Sequence, residues 1–301
     1  MSDSNINWFP GHMARAKKDL QKNLKLVDAV FVMLDARIPA SSNNPSITSR
    51  LGDKIVIVLL SKADLADAQH TKKWVKWFKI NGIEAMPVDL ISGRGIKVVI
   101  NSLSSILEKK VLLKRKSLRR TLPRCMVVGI PNVGKSMFIN KLAGYKPART
   151  GQYPGVTRGP QWISIGDELE MLDMPGILWP KLNDRDHAMK LAATGAIKKE
   201  VFDPGEVSQW LLEWIILNKP GLIKERFGID EVYPGADHLI ELIGKKRGFL
   251  TAGGNVDRLR TADHILREFK EGKLGRITLE VPNERERPCR TSGKTEQPAQ
   301  L

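Results

Sequence analysis

The chain has few cysteines and no long apolar run. Of its 301 residues only Cys125 and Cys289 are cysteine. This excludes a disulfide framework and a cysteine-based zinc site, and it fits a reducing cytoplasm. No stretch approaches 18 consecutive apolar residues, so we expect no membrane span. The opening MSDSNINWFPGHM has no apolar signal core, and we therefore expect no leader peptide.

Acidic and aromatic residues are also scarce. The 33 Asp and Glu residues face 49 Lys and Arg residues, which gives a formal net charge of +16. Such an excess favours a polyanionic partner, either nucleic acid or a nucleoprotein, over a merely basic, solvated surface. Aromatic residues make up 6% of the chain and do not alternate with basic ones. This argues against a stacking platform for single strands.

Short apolar segments alternate with helical patterns in the first part of the chain. Six segments are predicted to be strands: 29–35, 54–60, 84–88, 125–129, 161–165 and 169–173. Continuous apolar runs of this length are typical of buried parallel strands. The pattern predicts an α/β domain with a mostly parallel six-stranded sheet within residues 1–179, preceded by a basic amphipathic helix over 14–27.

The pattern becomes helical after Trp179. We predict a small all-α domain over 180–281 and a disordered polar tail over 282–301. The last helix is predicted from an apolar stripe that would join Val256, Leu259, Leu266 and Phe269.

The segment GIPNVGKS at 129–136 follows an apolar strand and precedes a helical pattern. Gly129, Gly134, Lys135 and Ser136 fit the spacing G-x-x-x-x-G-K-S. Such a loop turns backbone N–H groups towards phosphates, while the lysine reaches the β- and γ-phosphates and the serine ligates Mg²⁺. A glycine-containing turn without a ligand is the alternative.

Two further segments fit the same chemistry. In DMPG, Asp173 ends a predicted strand and is placed to hold Mg²⁺ through water, while the Gly176 N–H can meet a γ-phosphate. In PGVTRG, the Thr157 hydroxyl could complete the Mg²⁺ shell. Thr157 could instead be an ordinary turn residue.

The segment SKAD at 61–64 closes the predicted strand KIVIVLL. Asp64 has two carboxylate oxygens that can accept from guanine N1–H and the exocyclic amine, and the Lys62 stem can lie against the base. Ligand-binding residues in open α/β sheets follow the strand ends, which supports this interpretation. Ordinary GTPases have the phosphate loop first, whereas here the base-reading element precedes it.

Together these segments resemble the circularly permuted GTPases, and most closely the ribosome biogenesis GTPase A (YlqF-type) family. The matching segments are WFPGHMARA (8–16), DARIPASSNNP (35–45), SKAD (61–64), GIPNVGKS (129–136), PGVTRG (154–159) and DMPGIL (173–178). The resemblance implies a circularly permuted P-loop GTPase domain followed by the helical domain. It also explains the unusual order of the motifs.

The chain departs from the usual GTPase pattern at three places. Ser61 stands where GTPases usually have Asn, and Asp89-Leu90 stands where Ser-Ala is usual. A backbone N–H at 89–90 could still reach guanine O6. Ile177 occupies the position of the Gln that orients the attacking water in many GTPases, so another group must position the water.

Two other residues gain a role only through the resemblance. Asn132 would help to hold K⁺ near the phosphates, unless it makes only a local turn bond. His12 in FPGHM would orient the water as a neutral imidazole, unless it is structural or exposed.

The resemblance completes a set of predicted site residues. Catalytic roles are assigned to His12, Lys135 and Thr157. Nucleotide binding is assigned to Ser61, Lys62, Asp64, Asp89, Leu90, Asn132, Val133, Gly134, Lys135, Ser136, Met137, Thr157 and Gly176. Metal binding is assigned to Asn132, Ser136, Thr157 and Asp173, with GTP, Mg²⁺ and K⁺ as the small ligands.

The resemblance also implies a function. We expect a cytoplasmic GTPase that assembles the large ribosomal subunit, contacts its rRNA, is stimulated by that particle, avoids membranes and is monomeric off the ribosome. RNA contacts are expected from the basic connector 107–124, from the basic N-terminal helix, and from cations of the last helix, although each could be a solvated surface. Two alternatives stay open: an RNA-binding scaffold with an inert nucleotide site, and a GTPase that acts on another acidic partner.

Overall fold

A six-stranded sheet forms the centre of the first part of the molecule. The computed structural model describes residues 18–48, 50–52, 54–104, 122–145, 159–166, 169–178, 184–230 and 235–283. The strands are β1 Ala29–Asp35, β2 Ile55–Ser61, β3 Glu84–Val88, β4 Arg124–Gly129, β5 Gln161–Ile165 and β6 Leu169–Asp173. Their order is β3-β2-β1-β4-β6-β5, and only the pairing of β5 with β6 is antiparallel. The predicted fold class is confirmed.

Helices flank the sheet in the first part of the chain, and the described elements after β6 are all helices. Those of the first part are α1 (18–24), α2 Pro39–Ser42, α3 Pro45–Thr48, α4 Ala68–Ile80, α5 (96–104) and α6 Lys135–Tyr145. Those of the second part are α7 Arg185–Ala193, a 3-10 helix Lys199–Val201, α8 Pro204–Asn218, α9 Gly221–Phe227, α10 Ala236–Arg247 and α11 Arg258–Lys270. Within the described ranges, no helix is long and apolar enough to cross a membrane.

The sheet is buried on both faces because its strands carry apolar residues on both sides. In β1, Phe31 and Met33 point to the side covered by α5 and α6, while Val32 and Leu34 point to the side covered by α1 and α4. Side chains of successive strand residues alternate between faces, so a continuous apolar run fits only a doubly covered sheet. The first of these apolar clusters continues into α7–α11.

Two predicted helix boundaries differ from the structure. The described part of the first helix ends at residue 24, because the Leu26 N–H bonds to the Asn23 carbonyl in a turn. The last helix begins at Arg258, capped by Asp257. Val256 therefore lies before the helix, and Leu259 is 58% exposed rather than part of the apolar stripe.

An extended segment returns from the helical part to the sheet. We call residues 276–283 the C-terminal strap. The Leu279 N–H donates to the Arg37 carbonyl (2.8 Å), and the Trp74 Nε1–H donates to the Glu280 carbonyl (3.2 Å). The strap thus crosses the domain boundary predicted at residue 179, which itself stays a prediction. Of the predicted tail, residues 284–301 lie outside the described ranges, as does most of the predicted connector 107–124.

Glu280 fixes the strap to α2. Its carboxylate accepts from the Ala40 N–H (2.7 Å), the Ser41 N–H (3.1 Å) and the Ser41 hydroxyl. Lys190 Nζ of α7 lies 3.4 Å away. The residue is 7% exposed, so loss of the carboxylate would leave buried donors unsatisfied.

We therefore expect Glu280→Ala to lower the free energy of unfolding by about 2–4 kcal/mol. Urea denaturation monitored by tryptophan fluorescence would measure it. Glu271→Ala is the matched control, because Glu271 pairs with Lys273 on the surface, and its loss should leave the urea midpoint nearly unchanged. Equal midpoints for the two variants would show that the strap contributes little.

Candidate nucleotide site

The phosphate loop connects β4 to α6, as its sequence requires. A Cβ on Gly129 would lie 2.5 Å from the Met33 carbonyl oxygen. Gly134 has φ +104°, and a Cβ there would meet Leu90 Cδ1 at 2.8 Å. Both positions therefore need glycine. The loop runs directly into the N-terminus of α6, which is a favourable place for phosphate.

Lys135 is the first residue of α6 and is 7% exposed. Its Nζ lies 3.0 Å from the Ile130 carbonyl oxygen and 3.4 Å from that of Gly129. Burial lowers the pKa of Lys135 to about 8, although the Asp173 carboxylate acts in the opposite direction. Among the described residues, carbonyl oxygens alone accept from this ammonium group, and a desolvated ammonium group so placed is suited to receive an anion.

The acidic element lies against the phosphate loop. Asp173 ends β6 and is fully buried, and the Ser136 hydroxyl donates to its Oδ2 at 2.9 Å. A Cβ on Gly176 would lie 2.7 Å from Pro131 Cα, so glycine permits this close approach. The structure thus brings together Ser136, Asp173 and Gly176, three of the predicted site residues.

Both backbone polar groups of Ile177 are hydrogen-bonded. The Ile177 N–H donates to the Gly129 carbonyl (3.1 Å), and Asn44 Nδ2 donates to the Ile177 carbonyl (3.0 Å). The Ile177 side chain is buried in the apolar cluster beside α3. It therefore cannot orient water.

The base-reading element meets the phosphate loop at the same sheet edge. The Ser61 hydroxyl lies 2.8 Å from the Val133 carbonyl oxygen and 3.0 Å from that of Leu34. Ser61 is fully buried. Its hydroxyl therefore ties the two motifs together, while Asp64 is partly exposed in the turn that follows.

A buried ion cluster holds Lys62. Its Nζ lies 3.0 Å from Asp35 Oδ2, and its backbone adopts φ +56°. Arg37 Nε and Nη2 donate to the same carboxylate at 2.9 and 2.8 Å. Burial would raise the pKa of Asp35, but the charges of Arg37 and Lys62 outweigh it and hold that pKa well below its usual range.

Asp89 stabilises the second predicted base loop. Its carboxylate accepts from the Ile91 N–H, the Ser92 N–H and the Ser92 hydroxyl. Burial would raise the pKa of Asp89, but these hydrogen bonds lower it. The Asp89 N–H already donates to the Arg94 carbonyl (3.0 Å), so the Leu90 N–H is the better candidate for guanine O6.

The helical part contacts both halves of this site. In the phosphate loop, Asn132 Nδ2 donates to the Gly195 carbonyl at 2.7 Å. At the base-reading turn, the Ile277 N–H donates to the Leu65 carbonyl at 3.1 Å. Lys219 Nζ lies 2.6 Å from Asp67 Oδ2, just before α4.

Comparison with known proteins identifies the family. A sequence profile described as "50S ribosome-binding GTPase" matches residues 124–231. The chain is 43% identical over 285 residues to the ribosome biogenesis GTPase A of Priestia megaterium, covering 94% of this chain and 99% of that protein. The Thermotoga maritima relative is 33% identical over 279 residues, 93% of this chain and 95% of that protein. The GNP-bound YlqF structure from T. maritima has a TM-score of 0.63 at 30% identity, covering 89% of this chain and 98% of that one.

The chain belongs to the ribosome biogenesis GTPase A family. It is therefore a GTP-binding protein and a GTPase, and the family predicted from the sequence motifs is confirmed. The roles of individual site residues in this GTPase stay predictions. Among the predicted residues, Val133 is buried and Met137 is 48% exposed, while His12 and Thr157 lie outside the described ranges.

Sequence reasoning missed several residues that support the site. These are Asp35, Arg37 and Asn44 of the DARIPASSNNP segment, and Lys219 and Glu280 of the helical part. Two signals were available in the sequence. Asp35 and Arg37 come at the end of a buried strand, and Glu280 is a lone acid within the apolar run ITLEV. Lys219 had no local signal, because its partner Asp67 is distant in sequence.

We expect the binding of GDP to this GTPase at pH 8 to take up about half a proton, since bound phosphate restores the charged form of Lys135. The affinity should accordingly fall as the pH rises above about 8. Calorimetry in two buffers of different ionisation enthalpy measures the uptake. Lys135→Met should bind more weakly and without that uptake, and unchanged uptake in this variant would assign the proton elsewhere.

We expect Asp64→Asn to weaken GDP binding about 10- to 100-fold, because guanine loses a charged acceptor worth about 1.5–3 kcal/mol. The amide can instead donate to O2 of xanthine, so binding of xanthosine diphosphate should improve. Titration with both nucleotides measures this change of preference. Asp237→Asn is the control, because Asp237 is exposed. If both nucleotides weakened equally, Asp64 would not be the base reader.

Proposed function

We propose that this GTPase is a cytoplasmic assembly factor for the large ribosomal subunit, and that contact with the particle and its rRNA stimulates GTP hydrolysis. The names of its relatives support a ribosomal role. GTP would act as a timer: the factor binds in one nucleotide state and leaves after hydrolysis. We further propose that it is monomeric off the ribosome and has no membrane partner.

One structural observation carries this proposal. The helical part contacts the phosphate loop through Gly195 and Asn132, and it contacts the base-reading turn through the strap and Lys219. A partner that binds the helical part can therefore favour one arrangement of both loops. By linkage, the nucleotide state would change the affinity for that partner equally.

The residues present fit Mg²⁺. The Ser136 hydroxyl and the Asp173 carboxylate, 2.9 Å apart, are the oxygen ligands that this ion prefers. We propose that they hold it together with Thr157. When bound, Mg²⁺ neutralises charge that develops on the phosphates. Lys135 would bind the same phosphates, and the Gly176 N–H would donate to the terminal one.

Ile177 cannot orient water, so other groups must do so. We propose His12 for this role, and K⁺ held by Asn132 as the additional positive charge. The Asn132 amide nitrogen donates to Gly195, which fixes its rotamer, and the amide carbonyl is the kind of oxygen that K⁺ binds. The helical part would thus position a ligand of the cation.

The test is steady-state GTP hydrolysis in KCl, with purified large subunits and with small subunits as the control. We expect at least a tenfold rise with large subunits only, equivalent to about 1.4 kcal/mol of barrier. NaCl in place of KCl, or His12→Ala, should reduce the rise while GDP binding persists.

Other outcomes favour the alternatives. Intact GTP binding without any rise would favour an RNA-binding scaffold with a slow or inert nucleotide site, for which Ser61 and Ile177 are the motivation. An equal rise with small subunits or tRNA would favour another acidic partner.

A further inference from the structure

A basic groove lies beside α1, away from the nucleotide site. It has a volume of about 950 Å³, and its lining includes Lys18, Lys22, Lys25, Arg50 and Lys54. Among the described residues that line it, none carries a carboxylate or an aromatic ring. Buried Leu24 and Leu51 form its apolar part.

The groove and the nucleotide site lie at opposite ends of the parallel strands. Lys25 and Lys54 come just before β1 and β2, which begin side by side at Ala29 and Ile55. The nucleotide residues follow the strand ends instead. The two ends of a strand of seven residues are about 20 Å apart. Changes in the groove should therefore leave GTP hydrolysis alone.

The lysines of the groove are available to an external anion. Among the described residues, Lys18, Lys22 and Lys25 form no ion pair. Lys18 and Lys22 lie one turn apart on the same exposed face of α1, about 6 Å along the helix axis. Lys54 Nζ donates to the Val27 carbonyl (2.7 Å), which holds its positive charge at the groove.

Four cations at or just after α11, where RNA contacts were expected, are engaged within the molecule. Arg258 pairs with Asp237 and Glu241, and Arg260 stacks 4.6 Å above the Phe249 ring. Arg267 bonds to His264, and Lys273 pairs with Glu271. A second cavity near this helix, about 370 Å³ in volume, is lined by Asp203 and Glu206 as well as Arg258. Its carboxylates would repel phosphate.

We propose that the basic groove binds the sugar-phosphate backbone of RNA. Its cations would displace counterions from phosphates, whatever the base sequence. The described lining residues offer no aromatic ring for base stacking, so we expect a duplex to bind as well as a single strand. The proposal rests on the proposed function, because that function supplies the RNA partner.

The test compares two charge-reversal variants of the full chain. One carries Lys18→Glu, Lys22→Glu and Lys25→Glu. The control carries Lys72→Glu, Lys73→Glu and Lys76→Glu, three exposed lysines of α4, and therefore has the same net charge. Binding to a 24-base-pair RNA duplex is measured from 50 to 200 mM KCl, together with binding to large ribosomal subunits and basal GTP hydrolysis.

We expect the groove variant to bind the duplex at least tenfold more weakly, with a salt slope shallower by about 2–3. The control should stay within about threefold of wild type, and both should hydrolyse GTP normally. Equal losses in the two variants, or no loss in the groove variant, would overturn the groove proposal while wild-type binding to large subunits upholds the proposed function. If wild type binds neither duplex nor subunits, both proposals are overturned.

Discussion

The buried carboxylate of Asp35 is the interaction on which the nucleotide site depends. It lies at the end of β1, the strand between the base-reading strand and the phosphate-binding strand. It binds Lys62 of the base-reading turn and Arg37, whose Nη1 in turn donates to the Phe269 carbonyl of α11. A buried charge is tolerated only with such partners, so removing one would leave the others uncompensated.

The same arrangement makes the helical part a structural component of the nucleotide site. Arg37 meets α11, Asn132 meets the loop after α7, and Asp67 meets the C-terminal end of α8 through Lys219. Ser61 then joins the base-reading strand to the phosphate loop. The base-reading turn and the phosphate loop are thus each held by a contact with the helical part, as an element that responds to a distant partner requires.

Local patterns predicted the strands and motifs, because these depend on local chemistry. All six strands could be recognised from apolar runs, and the phosphate loop from glycines that tolerate no Cβ. Long-range partners could not be predicted: Glu280 and Ser41 are 239 residues apart, and no local pattern pairs them. The contacts of the Ser61 hydroxyl with the Leu34 and Val133 carbonyls also join distant segments, so no local pattern predicts them, and its place beside the base stays a prediction.

The strap determines when, during synthesis, the contacts of the base-reading turn can be completed. The base-reading turn is synthesised early. The hydroxyl that accepts the Asp67 N–H belongs to Thr278, which is synthesised 211 residues later. A nascent chain can form the sheet and the phosphate loop while that turn still lacks its brace. The base-reading turn therefore gains this brace only after translation has passed residue 278.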